Sequence, residues 1–558
     1  MVAIGKHKPD LAALTAYLLI ALVLTLPLWR DLDRAVPEAN EGDHAFFEYV
    51  LARAAALVTG DARDPFVTDE LNVPLGVNLM ANTSVLGVGL PLVPVTLLAG
   101  PAASFALLVL LGLALTAYGW FWVFRRRLAV SPLAAGVGGA FCGFAPGVVT
   151  HAQGHPNWTA QFLLPFVVHL LFDPRRRSGP LLGLVMAWQV FINEEALFFT
   201  GLGCAVFGLL HLALRPREAD RTRFLTNLGV ALAVAGALVG YPLWVQFTGP
   251  GSYRGVPEFV TSYGNDVAAF VSFSHHSLAG PISPFGQIAP NETEENAFFG
   301  FPLVIAFVVL AVVLRARAAA LAAAVTAVVF AVLSVGRDVI VNGYGDVSRP
   351  GPWEPFAHLP IFDSVVPTRL SLIAIPCVGL LLALAVDRSR PAVALVAAAL
   401  VPIVPMPVST TRLAPVPAYI TTQGYREQLA DGGSMLVTPR IWTDTTGMRW
   451  AARAGLDFPL ALGYFLGPDP DPTAGGRALF GPPRRPTHAL IVSVSTTGYL
   501  PPLTVGDRAA FASDLAYWRT SVIVLPNDQP HRAAVESLLT SLTGRPPTRT
   551  GGVSVWDL

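Results

Sequence analysis

The chain has 558 residues, of which 53% are hydrophobic and only 13% charged, about half the charged share of a soluble globular protein. Its 37 acids balance its 37 bases, so nothing implies a polyanion such as nucleic acid as partner. Cys142, Cys204 and Cys377 all fall inside apolar runs, which excludes both a disulfide framework and a cysteine-rich metal site.

Taken in chain order, the apolar residues gather in runs close to the ~20 residues that cross a bilayer. The fold class expected is therefore an α-helical polytopic membrane protein. The runs 11–29, 103–124, 130–149, 158–172, 180–195, 196–214, 224–247, 301–315, 318–335, 370–386 and 391–408 are read as 11 transmembrane helices. No small-residue cleavage motif follows the first run, which reads as an anchor and not a removable signal. The stretch "VLGVGLPLVPVTLLA" (85–99) carries two prolines and reads as a re-entrant or interfacial segment. Six basic clusters alternate with the spans: Lys6/Lys8, Arg125 to Arg127, Arg175 to Arg177, Arg215 to Arg223, Arg315/Arg317 and Arg388/Arg390. All six fall on one side, and Lys and Arg in short loops stay cytoplasmic. A multi-pass plasma-membrane protein follows, with its N-terminus cytoplasmic and its C-terminus outside.

The long polar segments then lie outside. Residues 1–409 form a transmembrane module with external loops 30–84 and 248–300, and residues 410–558 form a small extracytoplasmic α/β domain. The latter alternates apolar runs such as "SMLVTP" (434–439) and "SVIVLP" (521–526) with helical patterns such as "DRAAFASDLAYWR" (507–519). It has no glycine-rich phosphate fingerprint, which favours a binding or structural role for it.

Loop one draws attention through "GDHAFFEYVLARAAAL" (42–57). Phe46, Phe47, Val50, Leu51, Ala54 and Leu57 recur at three- and four-residue spacing, an apolar stripe suited to lying in the membrane interface. Asp43 sits at its N-terminal end. One reading makes it a helix cap, whose carboxylate accepts from free amides. The other notes that Glu38, Glu41, Glu48, Asp61, Asp64, Asp69 and Glu70 crowd the same loop, and that acids held against a membrane need a reason.

An acid shortly after the first span, followed by a juxtamembrane helix, resembles the GT-C membrane glycosyltransferases. "LNVPLGVNLMANTS" (71–84) is similar to the Pro-x-Gly-x-Asn-Leu segment of many bacterial members, and "GHPNW" (154–158), "ENAFFGFPL" (295–303) and "LPIFDSVVPTRL" (359–370) add shorter similarities. The resemblance implies transfer of a sugar from a polyprenyl-phosphate donor to an extracytoplasmic acceptor, which is an envelope glycan, lipid or protein. It also implies a general-base role for Asp43. Several members carry a second acid where this chain has His151, His155 and Asn157. That departure leaves no certain cofactor and a divalent metal only as an open question.

The chemistry is consistent with the resemblance, because a lipid-phosphate sugar carries its own leaving group and needs a base for the acceptor hydroxyl. Arginine suits the departing phosphate; Arg369, where a loop meets a span, and Arg254, in the large loop, are the candidates, although either would equally serve as an interfacial anchor. Glu194 and Glu195 at a hairpin apex require a polar cavity if they are not solvated. Glu41, Asn78 and His155 complete the candidate substrate-binding set. His275, His276 and "NETEEN" (291–296), in the large loop, read as solvated loop, with closure over the donor as the alternative. Two readings of other classes remain open: a polytopic transporter or flippase, and a non-catalytic envelope assembly protein.

Overall fold

A computed structural model describes residues 2–215 and 220–558; Arg217, in the fourth basic cluster, lies outside them. The chain opens with helix α1 (Val2–Trp29), a short strand β1 (Ala35–Pro37) and α2 (Glu41–Thr59). α3 (Leu86–Arg127), α4 (Pro132–Phe144), α5 (Leu164–Leu171), α6 (Ser178–Leu214) and α7 (Arg221–Thr248) follow. After a long loop come α8 (Phe301–Val313), α9 (Ala318–Leu333), α10 (Ala374–Val386) and α11 (Arg390–Leu400).

Small residues decide which helices form the centre. A Cβ on Gly139 would stand 2.7 Å from the Ala117 carbonyl, and one on Gly138 2.7 Å from that of Gly379. Glycine thus lets α4 lie directly on α3 and α10, the close approach by which helices associate in lipid. α10 is buried along nearly its whole length, whereas α1, α6 and α7 expose rows of Leu and Val outward.

Among the described residues five helices are long and apolar enough to cross a membrane, or six if Pro132–Phe144 and Pro146–Gln153, bent by 43°, count as one broken span. The chain is thus a multi-pass membrane protein, and the expected count of 11 is not confirmed. The runs at 158–172, 301–315, 318–335 and 391–408 yield helices of only 8, 13, 16 and 11 residues. Hydropathy counts apolar residues whether they are helical or lie in buried irregular chain. The runs 180–195 and 196–214 form one element broken at Asn193, whose ψ of 101° is not helical. Its two arms fold back, since Ser178 Oγ donates to Asp173 at 2.8 Å while Phe207 packs on Phe172 with ring centroids 6.0 Å apart. Likewise α3 breaks at Gly100, across which the Thr96 and Ser104 hydroxyls meet at 2.8 Å.

One end of the bundle collects the basic clusters. Arg125 pairs with Asp10 at 3.0 Å, Arg127 donates to His169, Arg223 reaches the Pro174 carbonyl, and Asp387 accepts from the Ser131 amide. Loop one and the tail occupy the other end. There β1 pairs antiparallel with β2 (Thr410–Arg412), which ties the start of the tail to loop one.

The tail continues through β3 (Ser434–Val437), α12 (Thr445–Arg453), α13 (Pro486–Thr497), α14 (Val505–Trp518), β4 (Thr520–Pro526), α15 (Arg532–Thr543), β5 (Thr548–Thr550) and β6 (Val553–Asp557). The sheet order is β5-β6-β4-β3, with β4 and β3 parallel and the other pairs antiparallel. Strand alternation splits its side chains between two faces. Leu436, Ile523, Leu525 and Trp556 pack under α13, α14 and α15, while Met435, Val437, Val522 and Val524 join α12 in the core shared with the membrane bundle.

The interfacial helix expected in loop one is not observed. α2 is buried on all sides from His44 to Ala56, wedged between α3 and α12. The polar face opposite its apolar stripe meets partners from the tail: Glu48 is fully buried and accepts from Arg453 at 2.9 Å, and Arg453 also holds Asp33 at 3.0 Å. Burial and the neighbouring Glu48 act in opposite senses on His44, and burial wins, lowering its pKa to about 4; Arg453 is therefore the counter-ion of Glu48. Glu70 pairs with Arg53, and Asp64 accepts from the Phe66 and Val67 amides. Most acids of loop one thus have structural partners.

Candidate active site

Asp43 does not cap its helix. The cap is Asn40, whose side-chain oxygen accepts the Asp43 amide at 3.0 Å, which places the Asp43 carboxylate one turn further in and turns it outward from α2. The carboxylate is held from three directions. His155 Nε2 lies 2.6 Å from Oδ2, the Asn40 amide donates to the same oxygen, and the Tyr464 hydroxyl donates to Oδ1 at 3.0 Å. Tyr464 comes from the tail, and its ring fills the space beside Gly42, where a Cβ would approach it to 2.1 Å. Burial raises the pKa of Asp43, but the charge and hydrogen bond of His155, with the bonds from Tyr464 and Asn40, outweigh burial and hold it below the usual carboxylate range. Asp43 is a carboxylate at neutral pH.

A second cluster stands beside the first. Arg369 donates through Nε and Nη2 to Glu294 Oε1 at 3.0 and 2.5 Å and through Nη1 to Glu195 Oε2 at 3.1 Å, and its guanidinium lies 5.2 Å from the centre of the Trp158 ring. Glu294 is buried and also accepts from Thr368 at 2.8 Å and from the Asn296 amide at 2.7 Å. Burial pushes its pKa up, yet the Arg369 guanidinium overcomes this and lowers it to about 2. The two clusters are joined: His151 Nε2 meets Asn296 Oδ1 at 2.8 Å, and His151 Nδ1 meets His155 Nδ1 at 3.1 Å.

Both clusters line the rim of a cavity of about 2040 Å³ that runs between α5, α6, α7 and α10 to Arg127, His169 and Asp173 at the opposite end of the bundle. Its walls between the two ends are mostly apolar, with Leu182, Phe199, Phe224 and Leu372 among them. This volume exceeds the roughly 300–1,000 Å³ of common small-molecule sites and suits a long apolar chain.

Of the candidates read from sequence, Asp43, His155, Glu194, Glu195 and Arg369 line this cavity. Glu194 accepts from Gln246 at 3.2 Å. Three others do not line it. The Asn78 side chain donates to the Val245 and Pro250 carbonyls and so ties loop one to the end of α7. Glu41 accepts from Thr445 at 3.3 Å. Arg254 pairs through its backbone with Gly476 and Ala478. Glu294, read as solvated loop, is instead buried. It precedes "ENAFFGFPL" (295–303), which runs into α8, but nothing local indicated that Glu294 would meet Arg369. Tyr464 carried no signal at all.

Among the described residues no group of three His, Cys, Asp or Glu side chains is placed to hold a metal, and the neighbours of Asp43 are an imidazole, a phenol and an amide.

Comparison with known proteins places the chain. Residues 58–406 match the family described as Domain of unknown function (DUF6311), and the chain belongs to that family. No curated protein matches it in sequence. Among solved structures, the arabinofuranosyltransferase AftD from Mycobacteria superposes with a TM-score of 0.55 at 15% identity, over 99% of this chain and 40% of that one. The Archaeoglobus fulgidus oligosaccharyltransferase AglB, solved with an inhibitory peptide and a dolichol-phosphate, gives 0.52 at 10% identity over 98% and 74%. The apo form of the A. fulgidus oligosaccharyltransferase gives 0.52 at 11% over 92% and 69%. At these identities the likeness is one of fold, and the fold is GT-C-like. The chain spans two fifths of the length of AftD.

Proposed function

We propose that this protein is a membrane glycosyltransferase that moves a sugar from a polyprenyl-phosphate donor to an acceptor outside the plasma membrane, with Asp43 as general base. The observation that carries the reading is a carboxylate, held ionised at the rim of a cavity of about 2040 Å³ whose walls suit an apolar chain. The fold shared with AftD and AglB supports it, as does the collection of the basic clusters at the end of the bundle opposite Asp43. By the positive-inside rule we read that end as cytoplasmic, with loop one and the tail outside.

In the reaction, Asp43 takes the proton of the acceptor hydroxyl while its oxygen bonds to the anomeric carbon. The bond from that carbon to the phosphate oxygen breaks, and the electron pair leaves with the lipid phosphate. Arg369, at the same rim, keeps N–H capacity beyond its bonds to Glu194's neighbour Glu195 and to Glu294, and it faces the charge that grows on the phosphate. Holding donor and acceptor at one rim supplies proximity. The residues 410–558 wall the acceptor side through Tyr464 and Phe480.

The test is transfer by purified protein in nanodiscs supplied with polyprenyl-phosphate sugars and an envelope-glycan acceptor. Asp43→Asn keeps the size of the side chain and should reduce transfer on the order of 10²–10⁴-fold with folding retained. Normal transfer by a folded Asn variant would remove Asp43 from the chemistry.

A further inference from the structure

The chain of contacts from Arg369 to Asp43 fixes where protons sit. Glu294 is a carboxylate, because Arg369 donates to it through Nε and Nη2. The Asn296 group 2.7 Å from Glu294 must therefore be its NH₂, which leaves Asn296 Oδ1 facing His151 Nε2 at 2.8 Å. A carbonyl oxygen only accepts, so His151 carries its proton on Nε2. In a neutral imidazole the other nitrogen is then an acceptor, and His151, at 0% exposure with no carboxylate bonded to it, is neutral. Its Nδ1 accordingly accepts from His155 Nδ1 at 3.1 Å, so His155 carries a proton on Nδ1. Only Nε2 of His155 is left to meet Asp43 Oδ2, and at 2.6 Å one proton must lie between them.

We infer that Asp43 and His155 form a proton-sharing pair, with His155 a positioning residue whose tautomer is set by the buried chain His151–Asn296–Glu294–Arg369. The inference rests on the proposed role of Asp43. The side chains facing the pair are Tyr464 on Oδ1, Asn40 on Oδ2 and, on the far side of His155, His151. With Oδ2 filled by two donors, the acceptor hydroxyl is left the free lone pair of Oδ1. When its proton arrives there, the pair holds two protons and becomes cationic as negative charge grows on the departing phosphate. A lone carboxylate would only become neutral. The network thus links the residue that takes the proton to the arginine that faces the leaving group.

Nitrogen-15 NMR of the whole chain in nanodiscs, with histidine labelled and signals assigned by loss in His151→Gln and His155→Gln, reads the tautomers without any need for transfer. The result expected is His151 protonated on Nε2 alone and His155 protonated on Nδ1. A His155 protonated on Nε2 alone, with His151 protonated on Nδ1, would overturn the inference. Asn296→Leu should release the His151 tautomer and lower kcat about tenfold, in line with loss of a hydrogen bond to a charged group, at unchanged KM for the donor. An Asn296→Leu enzyme with wild-type kcat would also overturn it. Asp43→Asn in the same preparation separates the two questions: normal transfer there defeats the base assignment, while the tautomers of the wild-type chain report on the network alone.

Discussion

Arg369 and Glu294 provide a perturbation whose size follows from the structure. Glu294 is 2% exposed and Arg369 16%, so neither charge is well solvated, and each depends on the other. The drop of Glu294 from its ordinary 4.5 to about 2 corresponds to stabilisation on the order of 3 kcal/mol at neutral pH. Arg369→Met removes the counter-ion but keeps most of the volume, leaving a buried carboxylate with only Thr368 and Asn296 as donors. Breaking a buried pair in this way costs about 3–5 kcal/mol. Arg369→Lys keeps the charge and loses the fork onto Glu294, so it should cost less. The double variant Arg369→Met/Glu294→Leu removes the Arg369–Glu294 pair, and replacing a buried pair by apolar groups is often close to neutral. Glu195 loses Arg369 in both the single and the double variant and keeps the Val366 amide at 3.3 Å, so its cost cancels in the comparison. The double variant should therefore be more stable than Arg369→Met alone.

Thermal unfolding in nanodiscs, followed by tryptophan fluorescence, ranks the variants without assuming two-state behaviour. The sign with pH is specific. A depressed folded pKa contributes stability that is present above 4.5 and is lost as pH falls towards 2, so wild type weakens on strong acidification. In Arg369→Met the unpaired Glu294 has a raised pKa, so its deficit should shrink as pH falls from 7 to 5 and the carboxyl takes up a proton. If Arg369→Met melts with wild type, or the double variant is the sum of the two singles, the buried-pair argument is wrong.

Two further outcomes are expected. A C-terminal alkaline phosphatase fusion after Leu558 should be active and one after Arg177 silent; the reverse pattern would place Asp43 in the cytoplasm and defeat the orientation. Glu48→Gln leaves Arg453 with the exposed Asp33 as its only carboxylate, so it should destabilise by about 3 kcal/mol and speed limited proteolysis between loop one and the tail, and wild-type proteolysis would show that this ion pair does not hold them together.

The candidate site residues were legible wherever their type was costly in their setting. Asp43, Glu194, Glu195 and Arg369 stood out as ionisable groups beside apolar runs, and all four line the cavity. Asn78 stood out through a motif instead, and its amide proved to tie backbone to backbone. The reading of Asp43 as a cap failed by three residues because the helix begins at Glu41, and a sequence pattern fixes such boundaries poorly. The apolar stripe of α2 was correctly placed in helical register, but the register alone does not say what covers the opposite face. Covering came from α12, whose Arg453 is more than 400 positions from Glu48 in the chain.

The same physics explains why the site as a whole was hidden. Its members come from loop one, the turn before α5, the α6 break, the long loop before α8, the turn before α10 and the tail, and each segment is short. A buried charge is tolerated only with a partner, so every acid found beside an apolar run implied a base or a donor elsewhere, yet the sequence contains many arginines and gives no distance between them. What can be read in one dimension is the debt of each charge; which group settles it is decided by topology. Glu294 shows the consequence. Surrounded by Asn291, Glu292 and Glu295 it looks like solvated loop, but Gly147, where a Cβ would stand 2.5 Å from the Asn296 carbonyl, lets that loop lie directly on the short helix Pro146–Val149 that follows α4. This close approach carries Glu294 inward to Arg369 and sets Asn296 against His151, so a position without a side chain, more than 100 residues away, determines whether the acid is solvated or forms part of the site.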